Sequence, residues 1–153
     1  MDFIESLLAA HPLFQELEPK HLHMLAKGAI EDRFEAQEYL FSEGDKANKW
    51  YVIRKGNVAL ETGTPPDGPI TVETLEAGNV LGWSWLLPPY RWAYSARVIA
   101  PTQVIVLDGT SLREQCEEDH DFGYELAKRV AQGVVQRLEA LRQRLLYSHP
   151  KGL

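Results

Sequence analysis

The chain has 153 residues, with 16 lysines and arginines against 22 aspartates and glutamates, and its formal net charge is −6. A chain of this length forms one domain with its own core, and its acidic balance opposes nucleic-acid binding, which needs a basic face. Cys116 is the only cysteine, which excludes an intrachain disulfide. The acidic N-terminus lacks signal-peptide features, and no apolar run is long enough to cross a bilayer, so we expect a cytoplasmic protein without membrane contact.

Two short helices are predicted in residues 1–29, where apolar residues recur at helical spacing and prolines interrupt the pattern. Pro19 suits the first turn of the second helix, and Gly28 suits its end. Nothing in this segment points to catalysis.

Residues 30–108 change to short segments rich in β-branched and aromatic residues and separated by glycines. This pattern predicts an all-β unit of the sandwich or barrel type. The predicted strands are 30–34, 39–42, 50–54, 57–61, 70–75, 95–99 and 103–107. Gly56 is predicted to form a tight hairpin between two of them, and residues 64–69 a longer, proline-stiffened loop.

Residues 78–97 are the most informative part of the chain, because glycines, aromatic residues, a Pro-Pro pair and an arginine occur together there. Trp83 and Trp85 project to one side of an extended chain, and Pro88-Pro89 stiffens the corner that presents Arg91. This combination indicates a ligand-binding loop. The alternative is that the tryptophans are core residues and that Arg91 is a solvated surface group.

Helical periodicity returns at Thr110. Thr110 or Ser111 is predicted to cap a short helix through Cys116, with Glu114 completing a capping box. A much longer helix is predicted over residues 122–147.

Apolar residues of the long helix alternate at spacings of four and three, as in a coiled coil. They are Ala127, Ala131, Val134, Leu138, Leu141 and Leu145. We predict that these residues form the interface of a parallel homodimer, and that Val130 and Val135 pack on the domain itself. The alternative is a helix that lies along its own barrel.

The order of the elements and their glycines resembles the cyclic-nucleotide-binding domain of the catabolite-activator and protein-kinase-regulatory-subunit superfamily, over residues 13–147. The segments that carry the resemblance are LFQEL at 13–17, EGD at 43–45, WYVIRKGNV at 50–58 and GNVLG at 78–82. The resemblance implies a mainly β fold with flanking helices, in which a jelly-roll-like β-roll (a double-stranded β-helix) precedes a long dimerisation helix. Residues 1–153 then form one domain, with N-terminal helices at 1–29, the roll at 30–108 and C-terminal helices at 110–147.

The resemblance also implies a ligand site, the phosphate-binding cassette of that family. There, backbone N–H groups and an arginine bind the cyclic phosphate, and a glutamate binds the ribose. The corresponding residues here are Val80, Leu81, Gly82, Trp83, Ser84, Trp85, Arg91, Trp92 and Ala93. Trp83 replaces the usual glutamate, and Arg91 aligns with the family arginine only after a one-residue insertion. We expect a cyclic nucleotide or another small anionic or planar ligand; the alternative is a ligand-free dimerisation module whose own aromatics fill the pocket.

Transcription factors of this superfamily continue into a helix-turn-helix after the dimer helix, whereas this sequence ends at Leu153. We therefore expect no direct DNA binding, and an effector protein that receives the signal from the dimer.

Enzyme and cofactor sites find little support in the sequence. A cupin-type metalloenzyme needs histidines on its barrel strands, but the histidines occupy positions 11, 21, 23, 120 and 149, outside residues 30–108. Cys116 and His120 suggest haem only if one helix runs unbroken through both. We predict a non-enzymatic protein without a cofactor.

Overall fold

The computed structural model of the chain describes residues 2–63 and 68–148. Antiparallel strands join into one sheet that forms the roll, flanked by helices at both ends. The strands are β1 (Ile30–Phe34), β2 (Tyr39–Phe41), β3 (Lys49–Thr62), β4 (Ile70–Glu76), β5 (Val80–Leu81) and β6 (Ser95–Asp108). The mainly β fold with flanking helices is as predicted, while most of the predicted loop at 64–69 lies outside the described residues.

Helices α1 (Phe3–Ala10) and α2 (Pro19–Ala26) precede the sheet, and a 3₁₀ turn at Pro12–Phe14 separates them. The Asp2 carboxylate accepts a hydrogen bond from a backbone N–H of the first turn of α1, which satisfies one of the free N–H groups at the start of the helix. Pro19 begins α2, where a missing N–H is harmless. The predicted pair of helices is confirmed.

The two longest strands, β3 and β6, pair along most of their length and form the centre of the sheet. Its order is β1-β6-β3-β4, with β2 paired to β6 and β5 paired to β3. Two strands each were predicted in place of β3 and of β6, whereas the structure has two continuous strands that bend.

The predicted hairpin at Gly56 is wrong, because Gly56 lies inside β3 at an irregularity of its pairing with β6. Gly56 has φ +113, and a Cβ at this position would lie 2.6 Å from the Cα of Thr102. Glycine is needed here because the two strands approach closely at a bend.

Helix α3 (Gly109–Glu118) follows β6 directly. Asp108 is its N-cap, and the Asp108 carboxylate accepts from the Ser111 N–H at 3.0 Å. The predicted cap at Thr110 or Ser111 is therefore wrong: the helix begins earlier, where an aspartate at the end of β6 supplies the acceptor.

Helix α4 (His120–Ser148) has 29 residues, which corresponds to a length of about 44 Å. Asp119 separates it from α3 and accepts from the Phe122 N–H at 3.1 Å. The first half of α4 buries Phe122, Leu126 and Val130 against the roll. Val130 therefore packs on the domain as predicted.

Buried side chains form two clusters. One fills the roll and includes Tyr51, Ile53, Val58, Leu60, Leu81, Trp92, Val98 and Val104. The other joins the roll to the helices and includes Leu8, Phe14, Leu25, Trp50, Trp85, Leu112, Phe122 and Leu126. The helices are thus part of the core, and α4 is fixed to the roll over its first half.

Candidate functional site

The predicted cassette is an irregular loop at residues 82–94 that follows β5. Backbone hydrogen bonds hold its second half against the turn that precedes β3. The Trp92 N–H donates to the Asp45 carbonyl at 2.9 Å, the Gly44 N–H donates to the Trp92 carbonyl at 2.9 Å, and the Ala47 N–H donates to the Tyr90 carbonyl at 2.8 Å. The loop is therefore a fixed part of the roll.

Trp92 fills the space beside Gly82. Its ring stacks on Phe41 with a centroid distance of 3.7 Å and an interplanar angle of 10°, and only 5% of the residue is exposed. A Cβ on Gly82 would overlap the Trp92 ring, and Gly82 also has φ +91. Gly82 therefore lets the tryptophan enter the loop's interior.

Most of the other predicted ligand-binding residues in β5 and in the first half of the loop are buried. Leu81, Ser84 and Trp85 are at most 8% exposed. The Trp85 ring lies 5.1 Å from the Trp50 ring, between the roll and the helices. These side chains contribute to the core, and their predicted ligand contacts stay a prediction.

Arg91 and Ala93 lie at the exposed outer edge of the loop. One Arg91 N–H donates to the Gly44 carbonyl at 3.0 Å, and no carboxylate among the described residues lies within ion-pair distance of the guanidinium. The predicted role of Arg91 as an anion anchor is compatible with this position and stays a prediction.

Trp83 faces α4 and is covered by an arginine from that helix. The Arg137 guanidinium lies 5.4 Å from the centre of the Trp83 ring, its Nε donates to Glu73 Oε2 at 2.9 Å, and its Nη1 donates to the Val80 carbonyl at 3.1 Å. The side chains of Arg137 and Glu73 are 11% and 7% exposed. We call Arg137, Glu73 and Trp83 the Arg137 cluster; it connects α4, β4 and the cassette.

Tyr94 extends this cluster toward the inside of the roll. Its ring lies 5.6 Å from the Trp83 ring in an edge-on arrangement. Burial raises the pKa of the Tyr94 phenol, and the nearby positive charge of Arg137 offsets part of that rise. The phenol is therefore neutral throughout the physiological pH range.

Arg137 and Glu73 were not predicted as site residues. Arg137 lies beside the predicted dimer residues on a helix rich in arginine, and Glu73 lies in a strand of mixed polar and apolar residues, so neither stands out from its own segment. Only the pairing of β4 with β3 and the packing of α4 bring them together. The contact between Arg137 and Glu73 can therefore be recognised only from the tertiary fold, and not from the sequence of either segment.

Residues 31–119 match the family model of the cyclic nucleotide-binding domain. The chain belongs to this family. Trp83 occupies the position where the resemblance places the ribose-binding glutamate of this family. Its ring is covered by Arg137.

Solved structures of similar proteins agree with the family and the fold. A candidate cyclic nucleotide-binding protein from Geobacter metallireducens is 30% identical, with a TM-score of 0.80 over 90% of this chain and 99% of that chain. A cyclic nucleotide-binding domain from Methylobacillus flagellatus is 20% identical, with a TM-score of 0.77 over 98% of this chain and 84% of that chain. The second likeness shows the fold alone.

A curated relative is a candidate potassium channel protein of Rhodopseudomonas palustris. It is 29% identical over 114 residues, which are 73% of this chain and 27% of that protein. The chain thus spans about a quarter of the length of this relative. None of the helices in the described part of the chain is long and apolar enough to cross a membrane.

Most of the predicted dimer residues on α4 are exposed in the single chain. Ala127 and Ala131 are exposed, and Leu138 and Leu145 are 61% and 58% exposed. The other two predicted interface residues are less exposed than these four. Leu141 is half-buried, and Val134 is half-buried because it packs on the core between the roll and the helices.

Val135 is 56% exposed, so the expectation that it packs on the domain itself is wrong. The residue before it, Val134, occupies that inner position instead. Val135 therefore lies among the exposed apolar residues of α4.

A cleft of about 470 Å³ lies between α4, β4 and the 3₁₀ turn. We call it the α4–β4 cleft. Its lining includes His11, Glu73, Val80, Gly133, Arg137 and Arg144, and none of the cassette residues 82–94. The cleft is therefore separate from the loop at 82–94, although Arg137 borders both, and Val80, one of the predicted ligand-binding residues, lines the cleft.

Haem and metal chemistry find no support in the described residues. The helix ends between Cys116 and His120, since Asp119 is the last cap of α3. Burial, together with the negative charges of Glu117 and Asp119, raises the pKa of the Cys116 thiol to about 11, so the thiolate that a metal needs is scarce at neutral pH. No group of three or more histidine, cysteine or acidic side chains in the described part of the chain could hold a metal ion.

Proposed function

We propose that this domain is a non-enzymatic regulatory module that dimerises through α4 and senses a small anionic, planar ligand, such as a cyclic nucleotide, at the cassette. The contact between Arg137 and Trp83 carries this proposal. Arg137 belongs to the dimer helix and Trp83 to the cassette, so a ligand that reaches Trp83 must displace or engage the helix.

The energetics of the Arg137 cluster suit such a switch. A cation–π contact is worth about 0.5–2 kcal/mol, which a ligand with its own planar ring can replace by stacking on Trp83. An anionic group of the ligand can also pair with Arg91, whose guanidinium donates one hydrogen bond to the Gly44 carbonyl. The ligand would therefore exchange contacts with α4, and not simply add to them.

In this proposal the module acts in the cytoplasm and passes its signal to a protein effector. A change in the position of α4 alters the dimer, and the effector reads that change. The membership of the chain in the cyclic nucleotide-binding domain family supports a regulatory role.

A second function, a dimerisation module that needs no ligand, is favoured by one observation. Trp92 stacks on Phe41 at 3.7 Å and lies against Gly82, so an aromatic side chain of the protein occupies the interior of the loop. In this function the Arg137 cluster holds α4 in one position permanently.

Calorimetric titration with cyclic AMP and cyclic GMP separates the two functions. The sensor function predicts saturable binding that Arg91→Ala weakens at least about tenfold, the loss of a charge-assisted hydrogen bond. The double substitution Glu73→Gln with Arg137→Leu should bind several-fold more tightly, because it removes the competing arginine without leaving a buried carboxylate unpaired.

Arg142→Ala is the matched control, since Arg142 is an exposed arginine of the same helix. We expect it to bind as the unchanged protein does. Absence of binding to both the unchanged protein and the double variant contradicts cyclic-nucleotide sensing and supports the ligand-free module.

A further inference from the structure

The α4–β4 cleft has the size and the wall chemistry of a small-molecule site. Its volume of about 470 Å³ lies within the range of about 300–1,000 Å³ that is usual for ligand pockets. Apolar residues of the 3₁₀ turn, β5 and α4 form one part of the wall, and polar side chains form the rest. Such a mixture binds an apolar body and orients a polar group.

The charge of the cleft differs in sign from that of the whole chain. Its lining carries Arg137, Arg144 and Glu73, whereas the chain as a whole has a net charge of −6. Arg137 and Glu73 neutralise each other in the Arg137 cluster. Arg144 donates to the Val72 carbonyl at 2.9 Å, and among the described residues no carboxylate pairs with it, so one positive charge remains available.

Further hydrogen-bond donors lie in the same wall. The Asn79 Oδ1 accepts from the Glu76 N–H at 2.9 Å, which leaves the Asn79 amide N–H groups to donate. The amide of Gln136 and the hydroxyl of Thr74 also line the cleft. An anionic group is the ligand feature that this set of donors suits.

Gly133 keeps the inner wall of the cleft open. A Cβ at Gly133 would lie 3.6 Å from Val80 Cγ2 and 3.9 Å from Leu13 Cδ2, which are ordinary contact distances, so alanine would fit the protein. Alanine is also much the better residue in a helix interior. The packing of the protein therefore gives no reason for glycine at this position.

The other glycine inside α4 has such a reason. A Cβ at Gly123 would lie 2.9 Å from the Cys116 carbonyl oxygen, so glycine allows α3 and α4 to approach closely. No such close contact constrains Gly133, which lies in the wall of the cleft.

We propose that the α4–β4 cleft binds a small organic anion, whose carboxylate or phosphate contacts Arg144 and whose flat apolar body lies on Val80 and Gly133. Such a ligand bridges α4, β5 and the turn between β4 and β5, and it thereby fixes the middle of α4 to the roll. This site is distinct from the cassette, and it stands whether or not the cassette binds a ligand.

Calorimetric titration with phenyl phosphate and with benzoate tests the site and distinguishes a phosphate from a carboxylate ligand. We expect one molecule of at least one probe per chain, with binding at least about tenfold weaker in Arg144→Gln. Inorganic phosphate lacks the apolar ring and phenol lacks the anionic group, so each should bind more weakly than the two probes. Arg142→Gln is the control, because Arg142 faces solvent on the same helix and should leave the affinity unchanged.

Gly133→Ala provides the second test. We expect its melting temperature to rise by about 2–4 °C, because alanine favours the helix, while the added methyl group lowers the probe affinity at least about tenfold. Absence of binding by both probes, or a stabilised Gly133→Ala that binds like the unchanged protein, overturns the site. Arg91→Ala should leave probe binding intact; loss of binding in that variant would place the probe at the cassette and overturn the cleft site alone.

Discussion

His11 links the 3₁₀ turn to the turn between β4 and β5 through both nitrogens of its ring. Nδ1 accepts from the Leu13 N–H at 3.0 Å, and Nε2 lies 2.8 Å from the Gly78 carbonyl oxygen. Because a carbonyl only accepts, Nε2 carries the proton and the ring is neutral. A second proton on Nδ1 would remove the acceptor of the Leu13 N–H, and burial lowers the pKa of His11 below its ordinary value of 6.5.

This geometry predicts a loss of stability in mild acid. Above pH 6.5 the ring is neutral in both the folded and the unfolded chain, whereas below pH 6.5 the unfolded chain binds a proton first, so the free energy of unfolding falls until the folded pKa is passed. Melting temperatures measured from pH 8 to pH 5 should fall less steeply for His11→Gln than for the unchanged protein.

His120→Gln serves as the control, because His120 is exposed at the start of α4. It should retain the pH dependence of the unchanged protein. Equal slopes for His11→Gln and the unchanged protein would show that His11 does not link folding to pH.

The bend of β3 at Gly56 could not be predicted from the neighbouring residues alone. A glycine between two apolar, β-branched segments indicates a hairpin and a strand bend equally well. The partner that decides between them, Thr102, lies 46 residues further along the chain. The strands 30–34 and 70–75 were predictable because each is a separate run, whereas the continuity of β3 and β6 depends on their mutual pairing.

Gly56→Ala is expected to destabilise the domain by about 2–5 kcal/mol, the sum of backbone strain at positive φ and of overlap with Thr102. Gly44→Ala is the matched control, because Gly44 has φ +89 but a Cβ there meets no atom within 4 Å, and it should lose only about 1–2 kcal/mol. Urea unfolding of both variants measures the difference. Equal losses would mean that the close approach of β3 and β6 has no part in stability.

Other parts of the fold show the same division between local and tertiary information. The heptad spacing on α4 correctly predicted a long helix, but it did not indicate that Val134 would pack inward and Val135 would be exposed. The aromatic residues of the cassette were recognisable, yet whether a ligand or the protein fills the loop depends on Phe41, which contacts Trp92 from a distant strand. The sequence patterns located the helix and the loop, and packing determines which of their side chains are buried.

In the whole molecule, α4 takes part in every proposed event. Leu126 and Val130 anchor the helix in the core, Arg137 covers the cassette, and Gly133 borders the α4–β4 cleft. The exposed apolar face that remains, which includes Leu138 at 61% exposure, is the surface proposed to pair with a second copy. A ligand at either proposed site would therefore act on the same helix that is proposed to form the dimer.

Light scattering of the purified protein over a range of concentrations tests the dimer most directly. The unchanged protein should have twice the chain mass of 17.4 kDa. Leu138→Glu should weaken dimerisation at least about 100-fold and give the mass of one chain, because a carboxylate would be buried at the interface. Gln143→Glu, a similar change at an exposed position on the other side of the helix, should remain a dimer. A single-chain mass for the unchanged protein, or a dimer that persists in Leu138→Glu, would contradict dimerisation through α4.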